Sequence, residues 1–342
     1  MGVITPMRSA LLTPDRASAE RWAWASVVAN TLIVLTGGLV RLTGSGLGCP
    51  TWPRCTDESF VPHRALGVHG AIEFGNRMFT YVLVAVAVGT LIVVWRWAGS
   101  SRAARRLTVV LALGIPFQGV IGGITVLTDL NPWIVSLHLL LSMMLIGGSV
   151  MLVVLIRDAP RSDLPVRAVT LTRITFAALV VVVYLGTVVT GSGPHAGDAD
   201  SPRNGLDPQV MSHVHAGSVY VLVAVTLATI VALRGTPVAR FAVLLLIVEL
   251  LQGTIGFVQY FTDLPIALVA AHLVGAAILV AAGTRLVLAM STAEVSRSVR
   301  PREPETPGHT ARGLVVAPPP PRSRPASACT PPCTCGSGPA RG

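Results

Sequence analysis

The chain contains no lysine: all 26 of its basic residues are arginine, and charged residues of either sign make up only 12% of it. Aromatics are scarce as well, at 5%, whereas 52% of the residues are hydrophobic. A soluble domain of this length carries about a quarter charged residues, so that class is excluded. The formal net charge of +10 would suit a nucleic-acid partner. Its distribution argues against one, because the arginines stand between apolar stretches and in the tails and not along one face or run. The missing lysine fits a GC-rich coding bias. No A-x-A-like site follows the first apolar stretch, so no cleavable signal peptide is expected.

What the chain has is long apolar windows. A helix needs about 20 residues to cross a hydrocarbon core, and eight windows qualify: Trp22–Val40, Val68–Trp95, Leu107–Leu127, Pro132–Ile156, Ile174–Val189, Val210–Leu233, Phe241–Phe261 and Leu264–Thr284. The expected fold class is therefore an all-α polytopic membrane protein with eight transmembrane helices. Arginines set the orientation. Arg8, Arg16 and Arg21 precede the first window, and Arg96, Arg102, Arg105 and Arg106 follow the second. Arg157, Arg161, Arg167 and Arg173 follow the fourth, Arg234 and Arg240 flank the turn after the sixth, and Arg285, Arg297, Arg300 and Arg302 follow the last. These segments share one side, which places both termini in the cytoplasm and makes the plasma membrane the expected location.

The chain also repeats itself. Gln118-Gly119, Gly122, Thr128-Asp129-Leu130 and His138 return 134 residues later as Gln252-Gly253, Gly256, Thr262-Asp263-Leu264 and His272. Thr43-Gly44-Ser45-Gly46 returns as Thr190-Gly191-Ser192-Gly193 at a spacing of 147. This is the mark of a duplicated membrane unit of four helices. The expected division is a cytoplasmic segment 1–21, an N-terminal unit 22–156, a C-terminal unit 157–290 and a disordered cytoplasmic tail 291–342. The tail holds a Pro-rich run at 318–321 and cannot bury a core. Cys329, Cys333 and Cys335 lie in it without an accompanying histidine, which leaves little basis for a metal site there.

Ionisable groups at membrane depth are costly and mark working sites. At 1.5 Å per residue, His138 lies roughly 9 Å inside the fourth helix, His272 about 12 Å inside the eighth and His215 about 8 Å inside the sixth. All three enter from the outer face and reach similar depth. A lone histidine is ordinarily a hydrogen-bonded core residue; three at matching depth, two of them related by the repeat, are better read as heme-iron ligands in a helical bundle. Zinc would need a carboxylate or cysteine at that depth to complete a tetrahedral set. On the second helix, His69, Glu73 and Asn76 share one face. Asn76 holds the place corresponding to His215, and an amide is a poor iron ligand. Glu73 is read either as a functional carboxylate or as the partner of Arg77 one turn on. Glu249, in the seventh helix, has Ile115 as its repeat counterpart and is either a half-specific proton or heme-edge contact or a carboxyl kept neutral by burial. Cys49 and Cys55 flank Pro50-Thr51-Trp52-Pro53-Arg54 in an outward loop in the oxidising compartment. A structural staple, a redox-active couple and free thiols all remain open for them, with a disulfide as the expectation.

Gly37-Gly38-Leu39-Val40-Arg41-Leu42-Thr43, running into Ser45-Gly46-Leu47-Gly48-Cys49-Pro50-Thr51-Trp52-Pro53, closely resembles the first helix and loop of the heme A synthases, cytochrome oxidase assembly proteins that convert heme O to heme A. Glu73-Phe74-Gly75-Asn76-Arg77, the Gln118 to His138 segment, and Gln252 to His272 with Gln259-Tyr260-Phe261-Thr262 share the resemblance. It implies two pseudosymmetric four-helix bundles. It also implies a heme b cofactor on His215 and His272 in the C-terminal half. The substrate heme O would then lie in the N-terminal half, on His138 and the face of Asn76 and His69. The family's catalytic glutamate maps onto Glu73, with His138 beside it, and its loop cysteines onto Cys49 and Cys55. Many members carry histidine at the position of Asn76. Arg41 and Arg77, at outer helix ends, are candidates for heme-propionate pairing or for ordinary interfacial anchoring. The implied reaction oxidises a porphyrin methyl group to a formyl group, with membrane lipid as surroundings, an unidentified electron donor, and heme O synthase and cytochrome oxidase assembly proteins as possible partners. A diheme electron-transfer cytochrome, a secondary transporter and a non-enzymatic heme carrier are the other classes considered.

Overall fold

The computed structural model describes residues 13–159, 161–162 and 164–290. All of them fall in one unit, Met1–Val299. The expected disordered tail and its three cysteines lie outside the described residues.

Among the described residues the secondary structure is helical throughout, apart from turns and loops. The long helices are α1 (Arg16–Leu42), α2 (Gly67–Arg96), α3 (Arg102–Leu127), α4 (Pro132–Arg157), α5 (Val166–Ser192), α6 (Pro208–Ala232), α7 (Ala239–Phe261) and α8 (Ile266–Leu288). Each is long and apolar enough to cross a membrane. The chain is an all-α polytopic membrane protein. Large apolar side chains such as Leu113, Met144 and Leu251 stand exposed on the helix flanks, as a surface solvated by lipid allows.

Several helices outrun their apolar windows because polar residues start or extend them. Asp15 caps α1 by accepting a 2.8 Å bond from the Ser18 amide, which holds its carboxyl below the usual carboxylate range. Arg16 and Glu20 in the first turns of α1 both engage Arg157 at the end of α4. Asn131 caps α4, with Pro132 at its first position.

Packing follows the repeat. In the first half α1 meets α2, α2 meets α3, α3 meets α4, and α4 returns to α1; α5, α6, α7 and α8 close the same circuit in the second. The two rings join where α4 lies against α5 and α8, and α1 against α8. Val34, Met143 and Ile146 of the first half accordingly share a buried cluster with Leu179, Leu222, Leu245 and Leu286 of the second. Hydroxyl pairs tie the first hairpin of each half. Ser26 and Thr90 lie 3.0 Å apart across α1 and α2, and Thr175 and Thr229 lie 2.8 Å apart across α5 and α6.

The repeated Thr-Asp-Leu proves to be a turn. Asp129 and Leu130 have φ of 52° and 60°, and Asp263 and Leu264 have φ of 58° and 56°. Left-handed backbone at leucine is strained, yet both copies adopt it. The Leu130 amide reaches the Thr125 carbonyl at 2.8 Å, and the Leu264 amide reaches that of Gln259 at 2.9 Å. Leu130 also fills the space left by Gly46 and Gly197, whose backbones bond at 2.8 Å between the loops after α1 and α5.

Candidate functional site

Three histidines sit against three glycines of a neighbouring helix. A Cβ on Gly122 of α3 would stand 3.3 Å from Cε1 of His138 on α4, and one on Gly186 of α5 would stand 3.3 Å from Cε1 of His215 on α6. For Gly256 of α7 and His272 of α8 the distance is 3.5 Å. In all three rings Nδ1 is buried without a hydrogen-bond partner. His215 and His272 lie on α6 and α8, opposite helices of the second ring. The repeated glutamine ties each of two histidine helices to its neighbour. Gln118 Nε2 donates to the His138 carbonyl at 3.0 Å, and Gln252 Nε2 donates to that of His272 at 2.8 Å.

The α2 face is gathered as its spacing predicts, but each member is tied toward α1 or the following loop. His69 Nδ1 lies 2.9 Å from Ser45 Oγ. Asn76 Oδ1 lies 2.8 Å from Thr36 Oγ1 on α1. Glu73 is buried; one carboxylate oxygen accepts the Cys49 amide at 2.6 Å and the other meets Arg77 at 2.5 Å. Arg77 further donates to the carbonyls of Cys49, Thr51 and Arg54 at 2.9, 3.1 and 3.1 Å. The Glu73–Arg77 pair thus clamps both sides of Cys49. Cys49 and Cys55 are joined by a disulfide and are fully buried, which settles their pairing against free thiols.

At the other outer contact Arg41, at the end of α1, donates to the carbonyl of Thr190 at 2.5 Å and to that of His195. It closes the last turn of α5, where a cation complements the helix dipole. In the loop, burial and the Arg41 charge hold the His195 imidazole below its ordinary pKa. Glu249 is buried in α7; Thr226 Oγ1 donates to its Oε1 at 2.8 Å, and its Oε2 is buried without a partner. The repeat counterpart Ile115 is equally buried, so the carboxyl belongs to one half only.

Residues 20–284 match the model of a family described as cytochrome oxidase assembly protein. The chain belongs to that family. Among curated relatives, the heme A synthase of Listeria welshimeri is 29% identical over 174 residues, covering 50% of this chain and 56% of that protein. The heme A synthase of Alkalihalophilus pseudofirmus is 31% identical over 125 residues, covering 36% and 41%. That of Bacillus pumilus is 30% identical over 135 residues, covering 39% and 43%. The chain spans about half the length of the curated relatives it matches.

Of the residues the sequence singles out, the structure joins the cysteine pair, gathers the α2 face and sets each of three histidines against a glycine. Sequence reasoning missed Gly186, which no repeat motif flagged, and it gave Gly122 and Gly256 no role although both stood in the echo. Thr36 and Ser45, which engage Asn76 and His69, carried no signal of their own. The two arginines were weighed as propionate partners or anchors; as folded, both bind backbone carbonyls.

Proposed function

We propose that this family member is a heme A synthase, oxidising one methyl group of heme O to a formyl group in the plasma membrane for cytochrome oxidase biogenesis. The observation that carries the reading is the inequality of the two rings. The second presents two glycine-backed imidazoles on opposite helices, the first presents one, and a retained cofactor needs firmer ligation than a substrate that must leave.

The residues suit a heme. His215 and His272 offer ring nitrogens in an apolar bundle, and their buried, unpaired Nδ1 atoms mark rings packed by shape. Among the described residues, no group of three or more His, Cys, Asp or Glu is placed to hold a bare metal ion. His215 and His272 would hold heme b, and His138 would hold the substrate heme, with His69 and Asn76 across the ring. Bound there, heme b supplies a one-electron relay between an external donor and the N-terminal site.

The chain's own part is positioning. Glu73 is the carboxylate assigned to the reacting porphyrin edge, and its two partners hold it in one orientation beneath the disulfide loop. An isoprenoid-tailed substrate would approach from the lipid, which the exposed apolar helix flanks face. Arg41 stands in the last turn of α1, where heme propionates would emerge. Arg77, expected at a helix end, lies ten residues inside α2 and is turned to Glu73 and the loop carbonyls. The arginine bias supports an orientation with both termini in the cytoplasm. Heme O synthase and oxidase assembly proteins are the corresponding donor and acceptor partners.

The test is coexpression of the full chain with a heme O producer, followed by heme extraction and chromatography. Conversion of heme O to its hydroxylated form and to heme A is expected. Unchanged heme O with heme b bound would make the protein a carrier or a cytochrome instead.

A further inference from the structure

Three of the four pairs α1–α2, α3–α4, α5–α6 and α7–α8 contain a contact of one kind, and the first pair does not. In α3–α4, α5–α6 and α7–α8 a bare glycine backbone faces an imidazole: Gly122 with His138, Gly186 with His215, and Gly256 with His272. In α1–α2 the residue whose place in the repeat corresponds to His215 is Asn76, and what meets it from α1 is the hydroxyl of Thr36 at 2.8 Å.

The three glycines are not there for backbone freedom. All lie inside helices and none has positive φ. Glycine within a helix costs about 1 kcal/mol relative to alanine, so its use at three equivalent contacts asks for a packing reason. The distances supply it. A Cβ at 3.3 to 3.5 Å from Cε1 falls at or inside the optimal carbon–carbon separation of about 3.5 to 4.0 Å. Alanine at Gly122 or Gly186 would press on the ring by a few tenths of an ångström, whereas at Gly256 it would reach ordinary contact and only a larger side chain would press. Such pressure turns the imidazole about its bond to Cβ and swings Nε2 out of line, and a β-branched residue would press harder.

We propose that axial ligation in this protein is specified by residue pairs: the glycine facing each imidazole is a positioning residue for that ligand, and Thr36 with Asn76 is the one pair set against ligation. The inference rests on the reading of His215 and His272 as ligands of one heme and His138 as the ligand of another. It adds that the asymmetry between the halves resides in two residues on two helices. Asn76→His alone would place a ring against the Thr36 side chain. Thr36→Gly with Asn76→His would recreate the contact found in the other three hairpins.

The experiment uses the purified full chain with its heme, read by electron paramagnetic resonance and redox titration. Gly186→Ala is expected to retain heme b while shifting its low-spin g values and midpoint potential, and Gly256→Ala, with its Cβ 3.5 Å from Cε1, to shift them less. Gly217→Ala, at an exposed site on α6 where a Cβ meets nothing within 4 Å, should leave both unchanged. In the first half, only the Thr36→Gly, Asn76→His double variant is expected to add a second low-spin signal. Unshifted signals in both Gly186→Ala and Gly256→Ala would overturn the inference, as would a full second signal from Asn76→His alone or none from a folded double variant. Should the double variant fail to fold, the two alanine variants decide. An intact heme b signal in both His215→Ala and His272→Ala would instead remove the ligand reading itself, and is separable because it involves no glycine.

Discussion

Gln118 on α3 holds the backbone of His138 on α4, with its Nε2 3.0 Å from the His138 carbonyl. The same bond joins Gln252 to His272 at 2.8 Å. In each case a side-chain amide from one helix fixes the height and rotation of the next at a repeated histidine. The glycine one turn along, Gly122 or Gly256, then sets how the ring itself lies. Glutamine, glycine and histidine thus form one device, built twice.

Replacing Gln118 or Gln252 with leucine should therefore weaken both the helix pair and the ligand geometry. Loss of an interhelical hydrogen bond within a membrane costs about 1 kcal/mol. Gln252→Leu is expected to lower the thermal midpoint of the detergent-solubilised protein modestly and to broaden the heme b spectrum. Gln118→Leu should have a similar stability cost without touching that spectrum. Equal spectral effects from both variants would show that the two halves are not separately positioned.

The disulfide is the next expectation. Cys49 and Cys55 are buried as well as linked, so mass mapping of unreduced protein should recover them in one cross-linked peptide. Alkylation should fail until the protein is both reduced and unfolded. Ready labelling of either cysteine in native, unreduced protein would contradict the arrangement.

Much of this was legible because a membrane imposes simple rules. Eight apolar windows became eight helices, and the repeat located equivalent histidines before any contact was known. Helix ends were less legible. Windows end where hydrophobicity ends, whereas α1 begins at Arg16 because Asp15 caps it and its early charged residues find Arg157 across the bundle. The last window opens at Leu264, but that leucine is held at φ 56° in the turn and α8 starts after Pro265. The direction of a polar side chain was the least legible feature. Spacing places His69, Glu73 and Asn76 on one face of α2, yet only packing reveals that this face meets Ser45, the Cys49 amide and Thr36. Gly186 could not be found from its own sequence, since a glycine announces neither the ring it faces nor the helix that brings it.

Arg77→Ala should be among the most damaging substitutions outside the core. It would leave Glu73 buried without its cation and strip the carbonyls of Cys49, Thr51 and Arg54 of a donor. Breaking one side of a buried ion pair costs about 3 kcal/mol. Arg77→Lys keeps the charge but loses the planar fork, and should recover only part. The double variant Glu73→Gln with Arg77→Ala should be milder than Arg77→Ala alone, because no charge is then stranded. Thermal unfolding and protease sensitivity of the loop between α1 and α2 measure both effects. Wild-type behaviour in Arg77→Ala would show that the clamp does not stabilise the loop.

The division of labour between the halves can be read from heme composition. On the proposed ligation, His215→Ala and His272→Ala are expected to abolish the low-spin heme b signal, because each would remove one of the two imidazoles assigned to the iron. His138→Ala should leave that signal intact while reducing conversion of heme O, since its ring belongs to the other circuit of helices. Glu73→Ala should do the same for a different reason: the carboxylate lies under the disulfide loop of the first half, hydrogen-bonded to Cys49. Glu73→Gln separates its two roles. The amide retains an oxygen for the Cys49 amide and so keeps much of the loop in place, but it carries no charge and cannot take up a proton at the porphyrin edge. Chromatography of extracted hemes from each variant, scoring heme O, its hydroxylated product, heme A and heme b, supplies the measurement. A stable Glu73→Gln protein with full heme A output would assign the carboxylate to holding the loop alone, and the chemistry would then have to be sought around His138 without it.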